Sequence, residues 1–177
     1  RQLKYLKNFG DFISLDDAVA MLESGNDIKG RYFCITFDDG FKNCEANAMP
    51  ILLDHGAPAA FFLATDYIGT DIEADREHLL DFFGHRQTLV EFLTWSDCRR
   101  MIDSGMTIGS HTVHHARLAD LQAEEVLKEL IDSKAVIEEH LGIICEHFCY
   151  PFGISNNDFL PERDPGLAHQ AGYRSVS

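Results

Sequence analysis

Short apolar runs alternate with longer amphipathic segments along most of this 177-residue chain. The apolar runs are rich in aromatic and β-branched residues and end at polar or glycine-containing turns, which is typical of buried strands. The predicted strands are YFCITF (32–37), APAAFFLAT (57–65), MTIGSH (106–111), CEHFCYPFG (145–153) and YRSVS (173–177).

The segments between these runs carry helix signals. Ser14 is placed to cap the first helix, Gly25 is placed to end it, and Pro50 is expected to kink the second. The main predicted helices are SLDDAVAMLESG (14–25), NCEANAMPILLDHG (43–56), TWSDCRRMIDSG (94–105) and LQAEEVLKELIDSKAVIEEHLG (121–142), and a weaker one precedes the last strand. The longest helix has an apolar stripe at Leu127, Leu130, Ile131, Ile137 and Leu141.

Strands that alternate with helices predict an α/β fold with a parallel sheet, either open or closed into a barrel. The length fits one domain, residues 1–177, and the irregular stretch at about 67–94 is interpreted as an insertion. In both architectures the ligand site gathers at the carboxyl ends of the strands.

Composition narrows the range of functions. Fifteen basic residues against 29 acidic ones give a net charge of -14, which disfavours nucleic acid and anionic lipid and suits neutral or cationic substrates. No apolar run reaches the roughly 20 residues that a transmembrane helix needs. No leader is visible, although the chain does not begin with Met and an upstream segment could have preceded it. Five cysteines without a C-x-x-C pair favour buried thiols and a reducing, cytoplasmic compartment.

Two clusters of polar residues follow predicted strands and carry the candidate chemistry. Asp38 and Asp39 follow the first strand, and a solvated turn would explain them if they stood alone. His111 lies at the end of the third strand and could share a metal ion with His115, four residues on, or with His114. Two imidazoles and one carboxylate make a divalent-metal site with open positions, and a second carboxylate beside it can accept a proton from water.

The motifs TFDDG (36–40), SHTVHH (110–115) and FCYPFG (148–153) resemble, in this order, three motifs of the polysaccharide deacetylase family of metal-dependent carbohydrate esterases. The flanking stretches 50–65 and 95–111 are similar too, so the resemblance runs from Tyr32 to the end of the chain. It implies a distorted parallel (β/α) barrel, commonly of seven strands.

The resemblance also implies a role for each motif residue. It makes Asp38 the catalytic base and Asp39, His111 and His115 the metal ligands. Thr112 would brace the loop between the histidines, and His114 would be an exposed bystander. In the third motif, the Phe152 N–H would donate to the oxyanion, and Tyr150 and Pro151 would shape the wall of the groove.

The implied reaction is hydrolysis of N-acetyl groups, or of O-acetyl groups, on an amino-sugar-containing glycan. Zinc suits the ligand set best, with cobalt, nickel and manganese as alternatives. The insertion, with Trp95 beside it, is expected to contribute to a glycan groove, in which Phe82, Phe83 and Phe92 either stack on sugars or belong to the core. The sequence does not indicate which glycan is bound or which oligomeric state is formed.

Two departures from the family pattern support an alternative function. Cys149 stands where many members have an arginine that orients the base, and Arg163 and Arg174 are weak substitutes. The late histidine that protonates the leaving amine is absent, so we expect either that the chain is incomplete at its C-terminus or that barrel closure and the general acid come from outside it. His147 and His169 are poor replacements. The alternative is a catalytically weak, metal-binding relative that acts as a carbohydrate-binding or regulatory module. A phosphohydrolase fits worse, because no phosphate-binding glycine-rich loop is present.

Overall fold

A five-stranded, all-parallel sheet in the order β3-β4-β5-β6-β7 organises the structure, a computed structural model that describes residues 1–177. A separate two-stranded parallel sheet, β1-β2, lies near the N-terminus. The strands are β1 Asp11–Phe12, β2 Tyr32–Phe33, β3 Ile35–Phe37, β4 Ala59–Leu63, β5 Thr107–Ser110, β6 His147–Phe148 and β7 Ser175–Val176.

Seven α-helices connect and flank these strands. They are α1 Gln2–Leu6, α2 Leu15–Glu23, α3 Met49–Asp54, α4 Arg76–Asp81, α5 Trp95–Asp103, α6 Ala123–Leu141 and α7 Asp164–Gln170. Helices α5 and α6 pack against β5, and α7 packs against α6 and β7. The alternation of strand and helix along the chain therefore gives the predicted parallel α/β fold. No helix combines the length and the apolar character that crossing a bilayer requires.

The capping signals in the sequence correspond to the helix starts. Ser14 accepts a hydrogen bond from the Asp17 N–H at 3.0 Å at the start of α2. Thr94 and Asp97 form a reciprocal capping box at the start of α5. Before α3 the chain forms a π-helical stretch, Cys44–Ala48, and α geometry begins one residue before Pro50. The predicted helix is thus irregular just before Pro50, and the proline itself lies in the first turn of α3, where its missing N–H is tolerated.

The prediction of burial was wrong in part for residues 32–37 and, as described next, for helix α6. The run 32–37 is not one buried strand, because the ladder breaks at Cys34 and the two halves join different sheets. Its second half, β3, is an edge strand with one neighbour, so its side chains are half-buried or exposed. By contrast, β4 has neighbours on both sides and all five of its residues are buried.

In the first turn of α6 the buried residue is Val126, one position before the predicted Leu127. The buried residues of the helix are Val126, Leu130, Ser133 and Ile137, whereas Ile131 is 45% exposed. The predicted stripe contained only apolar residues and so left out Ser133, which is polar but buried. Its hydroxyl is paired at 2.7 Å with that of Ser110, at the end of β5, so a buried polar contact ties α6 to the strand that leads into the histidine motif.

Candidate active site

The carboxyl ends of β3, β5 and β6 meet around a cleft of about 820 Å³. The three sequence motifs follow these three strands, and residues from each line the cleft. This placement is the one that the parallel-sheet rule predicts.

Three side chains from two of these strand ends converge on one point. The Oδ1 atom of Asp39 lies 3.4 Å from Nε2 of His111 and 3.2 Å from Nε2 of His115. The candidate ligand atoms of the three residues all lie within 4.8 Å of one another. The backbone at His115 is left-handed, with φ 55°, and the centroid of its ring lies 5.1 Å from that of the His111 ring.

The chemistry of this group of donors fits a divalent cation. His111 is 1% exposed, and its Nδ1 lies 2.8 Å from the Cys149 carbonyl oxygen, which can only accept a hydrogen bond. Nδ1 therefore carries the proton, and in the neutral ring Nε2 presents a lone pair toward the Asp39 carboxylate. Lone pairs that face each other at this distance repel unless a proton or a cation lies between them.

Asp39 is held in its charged form. Burial alone would raise the pKa of this carboxyl, but when protons lie on the two Nε2 atoms, the hydrogen bonds and positive charges of His111 and His115 outweigh burial and hold its pKa well below the usual value. Asp39 has φ 72° and is followed by Gly40 with φ 83°. A Cβ on Gly40 would lie 2.6 Å from Cδ1 of Ile68, so only glycine fits this turn without displacing its neighbours.

Asp38 has different surroundings from Asp39. It is exposed at the cleft, and its carboxylate lies within 4.8 Å of a nitrogen of His111 and of the Cys149 sulfur. Burial, and after it the negative charge of Asp38, raise the pKa of the Cys149 thiol to about 12. Cys149 is therefore a neutral thiol at physiological pH.

The histidine loop is fixed by hydrogen bonds from three directions. The Thr112 hydroxyl accepts the Ala116 N–H at 3.2 Å, which is the bracing contact expected of this residue. The carbonyls of Thr112 and Val113 accept N–H groups from the residues that follow β4. His114 is 61% exposed at its side chain, as expected, but its ring is not free of contacts: Nδ1 lies 2.5 Å from Glu129 Oε1.

The third motif forms one wall of the cleft. Tyr150 and Pro151 are buried, and Phe152 is 57% exposed with φ 65°. The Phe152 ring packs on His115, with ring centroids 4.6 Å apart. No hydrogen bond within the chain uses the Phe152 N–H, so this donor is available to a ligand.

The irregular stretch 67–94 contributes the facing wall, through its residues Asp81, Phe82, Phe83 and Gly84. The Phe82 ring stacks on His115 at 4.7 Å, so this histidine is held between two aromatic rings. Phe83 is 41% exposed at the cleft, whereas Phe92 belongs to the core. Trp95 stacks on His140 at 4.3 Å and does not line the cleft.

The residues considered as substitutes for missing groups lie elsewhere. Arg163 donates to the carbonyls of Leu118 and Leu121, and Arg174 pairs with Glu23. His147 is buried between Asp16 and Ser175, and His169 is exposed on α7. None of these four residues lines the cleft.

Sequence reasoning missed Arg117, which does line the cleft. Its guanidinium lies 5.0 Å from the centroid of the Phe152 ring and pairs with the buried carboxylate of Asp158 at 2.5 Å. Because Arg117 lies only two residues after His115, the sequence could have indicated that it lies near the histidine motif. The contact with Asp158, 41 residues away, had no signal in the sequence.

Comparison with known proteins agrees with this architecture. The family model described as "Polysaccharide deacetylase" matches residues 25–176. The chain therefore belongs to the polysaccharide deacetylase family, as its motifs predicted.

The homologue YxkH of Bacillus subtilis (strain 168) is 27% identical over 173 residues, which are 97% of this chain and 53% of that protein. A chitooligosaccharide deacetylase of Bradyrhizobium sp. (strain ANU 289) is 26% identical over 144 residues, 80% of this chain and 55% of that protein. The chain thus spans about half the length of these curated relatives.

Among solved structures, the Streptococcus pyogenes deacetylase PplD in complex with acetate superposes with a TM-score of 0.75 at 24% identity, covering 98% of this chain and 67% of that one. This likeness confirms the fold class. The five parallel strands form a curled half-barrel of the deacetylase type.

Proposed function

We propose that this chain is the catalytic part of a metal-dependent hydrolase that removes N-acetyl groups from an amino-sugar-containing poly- or oligosaccharide. The observation that carries the proposal is the convergence of Asp39, His111 and His115 beside a second, exposed carboxylate, Asp38, in one cleft. A module that only bound a metal would need the first three residues and would have no use for the fourth.

In this proposal Asp39, His111 and His115 hold the metal ion. Zinc suits two imidazoles and a carboxylate best, and cobalt, nickel and manganese are accommodated by the same ligands. When bound, such an ion would act as a Lewis acid. It would polarise the acetyl carbonyl and lower the pKa of water from about 15.7 toward about 7.

Asp38 acts as the general base. Its exposed carboxylate takes a proton from the attacking water as the new C–O bond forms at the acetyl carbon. The free Phe152 N–H donates to the oxygen that gains negative charge, a contribution of about 3 kcal/mol for one such donor. When the C–N bond breaks, acetate and the free amine are released, and the protonated Asp38 carboxyl can return its proton to the leaving nitrogen.

The walls of the cleft suit a sugar. Phe83 and Phe152 are exposed and line the cleft that contains the Asp–His group, and the apolar face of a pyranose can pack on such rings. The name of the Bradyrhizobium relative supports a chitooligosaccharide as a substrate class to test first. The same machinery can cleave an O-acetyl ester, which makes acetylated esters the second class to test.

One observation favours a second candidate function, a metal-binding carbohydrate module with weak turnover. Asp38 lies beside the neutral Cys149 thiol, at the position where the resemblance implies an arginine in many family members, so its orientation is less constrained. Restoring the charge with Cys149→Arg would then raise turnover.

The experiment that tests the proposal is acetate release from N-acetylglucosamine oligomers by protein stripped of metal and then titrated with zinc. The proposal requires release that depends on zinc and saturates at one equivalent. A folded protein that binds one zinc and the oligomer but releases no acetate, from amide or ester, would support the binding module instead.

A further inference from the structure

The histidine motif depends on a carboxylate that lies outside it. Glu129, on helix α6, points at the loop between β5 and the second metal-site histidine, and its side chain is only 12% exposed. Its Oε2 accepts the N–H groups of Val113 and His114 at 2.9 and 3.1 Å. Its Oε1 lies 2.5 Å from Nδ1 of His114.

This loop needs such a contact because its backbone is strained. Thr112 has φ 67° and His115 has φ 55°, both in the left-handed region that residues with a Cβ seldom adopt. Each such residue costs on the order of 1–3 kcal/mol and persists only where its surroundings hold it. The strained positions are the two that flank the Glu129 contacts.

The loop is therefore held from opposite sides. On one side, the Thr112 and Val113 carbonyls accept N–H groups from Thr65 and Asp66, at 3.1 and 3.0 Å. On the other side, Glu129 receives the N–H groups of the loop. Glu129 forms no hydrogen bond or ion pair with the rings of His111 or His115, and its polar contacts all go to Val113 and His114. Its effect on the two ligand rings is therefore transmitted through the loop.

We infer that Glu129 is a positioning residue for the metal site, which pins the strained 112–115 loop so that both histidines face Asp39. His114 takes part in this contact as the loop's side-chain anchor and is more than a bystander. The inference rests on the metal site proposed above, but it does not require that the protein turns over any substrate.

The test measures zinc affinity and amide hydrogen exchange in three variants. Glu129→Ala removes all three contacts, and Glu129→Gln keeps an oxygen that can accept the two N–H groups. Asp132→Ala is the matched control, because it removes a carboxylate on the same helix that pairs only with Lys128.

In Glu129→Ala, zinc is expected to bind about 10- to 100-fold more weakly, the usual effect of losing a group that orients metal ligands. The Val113 and His114 amide protons of the metal-free variant are expected to exchange faster, while the far-UV circular dichroism is unchanged. Glu129→Gln and Asp132→Ala are expected to stay within about threefold of wild type in zinc affinity.

Wild-type zinc affinity and amide protection in Glu129→Ala would overturn the inference, and so would equal losses in Glu129→Ala and Asp132→Ala. If Glu129→Ala does not fold, Glu129→Asp replaces it, because its shorter side chain withdraws the carboxylate without removing the charge. Since both readouts are independent of acetate release, failure of this inference and failure of the proposed function give different results.

Discussion

One backbone turn places the adjacent residues Asp38 and Asp39 in different environments. Asp39 adopts a left-handed conformation and points between two imidazoles, which keep it charged. Asp38 stays exposed at the cleft beside a neutral thiol. The turn that separates them depends on Gly40, because a Cβ at this position would meet the Ile68 side chain at 2.6 Å.

Gly40→Ala is therefore expected to destabilise the fold by about 3 kcal/mol, from the left-handed backbone and the clash together. It is also expected to weaken zinc binding, because Asp39 is displaced. Gly25→Ala is the matched control: Gly25 has φ 65° but nothing within 4 Å of its Cβ position, so a loss of about 1 kcal/mol and unchanged zinc affinity are expected. Urea unfolding and zinc titration measure both effects, and equal results for the two variants would contradict this explanation of the turn.

At the scale of elements, α5 is tied to the turn that carries the two aspartates. Asp97 is 2% exposed, accepts the Thr94 N–H at 2.7 Å and contacts Lys42 Nζ at 2.6 Å. Burial raises the pKa of Asp97, but Lys42 and Thr94 outweigh burial and lower it to about 2. One carboxylate thus caps a helix and anchors Lys42, four residues after Asp38.

The contribution of Asp97 to stability is expected to depend on pH. Because its folded-state pKa of about 2 lies below the reference value of 3.8, the stabilisation is complete above about pH 4 and is lost as the pH falls toward about 2. The shift corresponds to roughly 2 kcal/mol.

The difference in unfolding free energy between wild type and Asp97→Asn should therefore be larger at about pH 7 than at about pH 3. Asp103→Asn, which removes a carboxylate from the exposed end of the same helix, is measured beside it as the control. A difference between wild type and Asp97→Asn that is the same at both pH values would show that Asp97 does not act through its charge.

At the scale of the whole molecule, the net charge of -14 acts on any charged ligand that approaches the cleft. Oligomers in which some sugars carry a free amine are cationic, and fully acetylated oligomers are neutral. The field therefore favours binding of the partly deacetylated chains.

At low ionic strength, KM for partly deacetylated oligomers is expected to be several-fold lower than KM for fully acetylated ones of the same length. The difference should disappear at about 1 M salt, where the screening length falls to about 3 Å. A difference that persists at high salt would indicate specific contacts with the amine and would contradict an effect of the overall field.

The sequence predicted most of the fold because its signals are local. The apolar runs and the helix signals at Ser14 and Gly25 each depend on a few neighbouring residues, and the structure has elements at these places. The division of residues 32–37 between two sheets and the buried Ser133–Ser110 pair depend on neighbours distant in the chain, so no local pattern contained them.

The same distinction applies to the site. The rule for parallel strands predicted that the two aspartates and the histidine motif would meet, and the resemblance to the family selected Asp39, His111 and His115 as the metal ligands. The structure places the side chains of these three residues in one group. Glu129 and the Arg117–Asp158 pair were missed because their contacts join residues that are at least 15 positions apart in the chain. No sequence motif marks either contact. The roles of the site residues remain predictions until they are measured.

The most direct test of the central claim is acetate release from N-acetylglucosamine oligomers by zinc-loaded Asp38→Asn, with the zinc content measured in the same sample. Because Asp38 is proposed to move a proton and not to bind the metal, the variant should keep one zinc while turnover falls by about 10²- to 10⁴-fold. Asp39→Asn, run beside it, should lose zinc and activity together. Zinc-loaded Asp38→Asn that retains wild-type turnover would contradict the division of roles between the two aspartates.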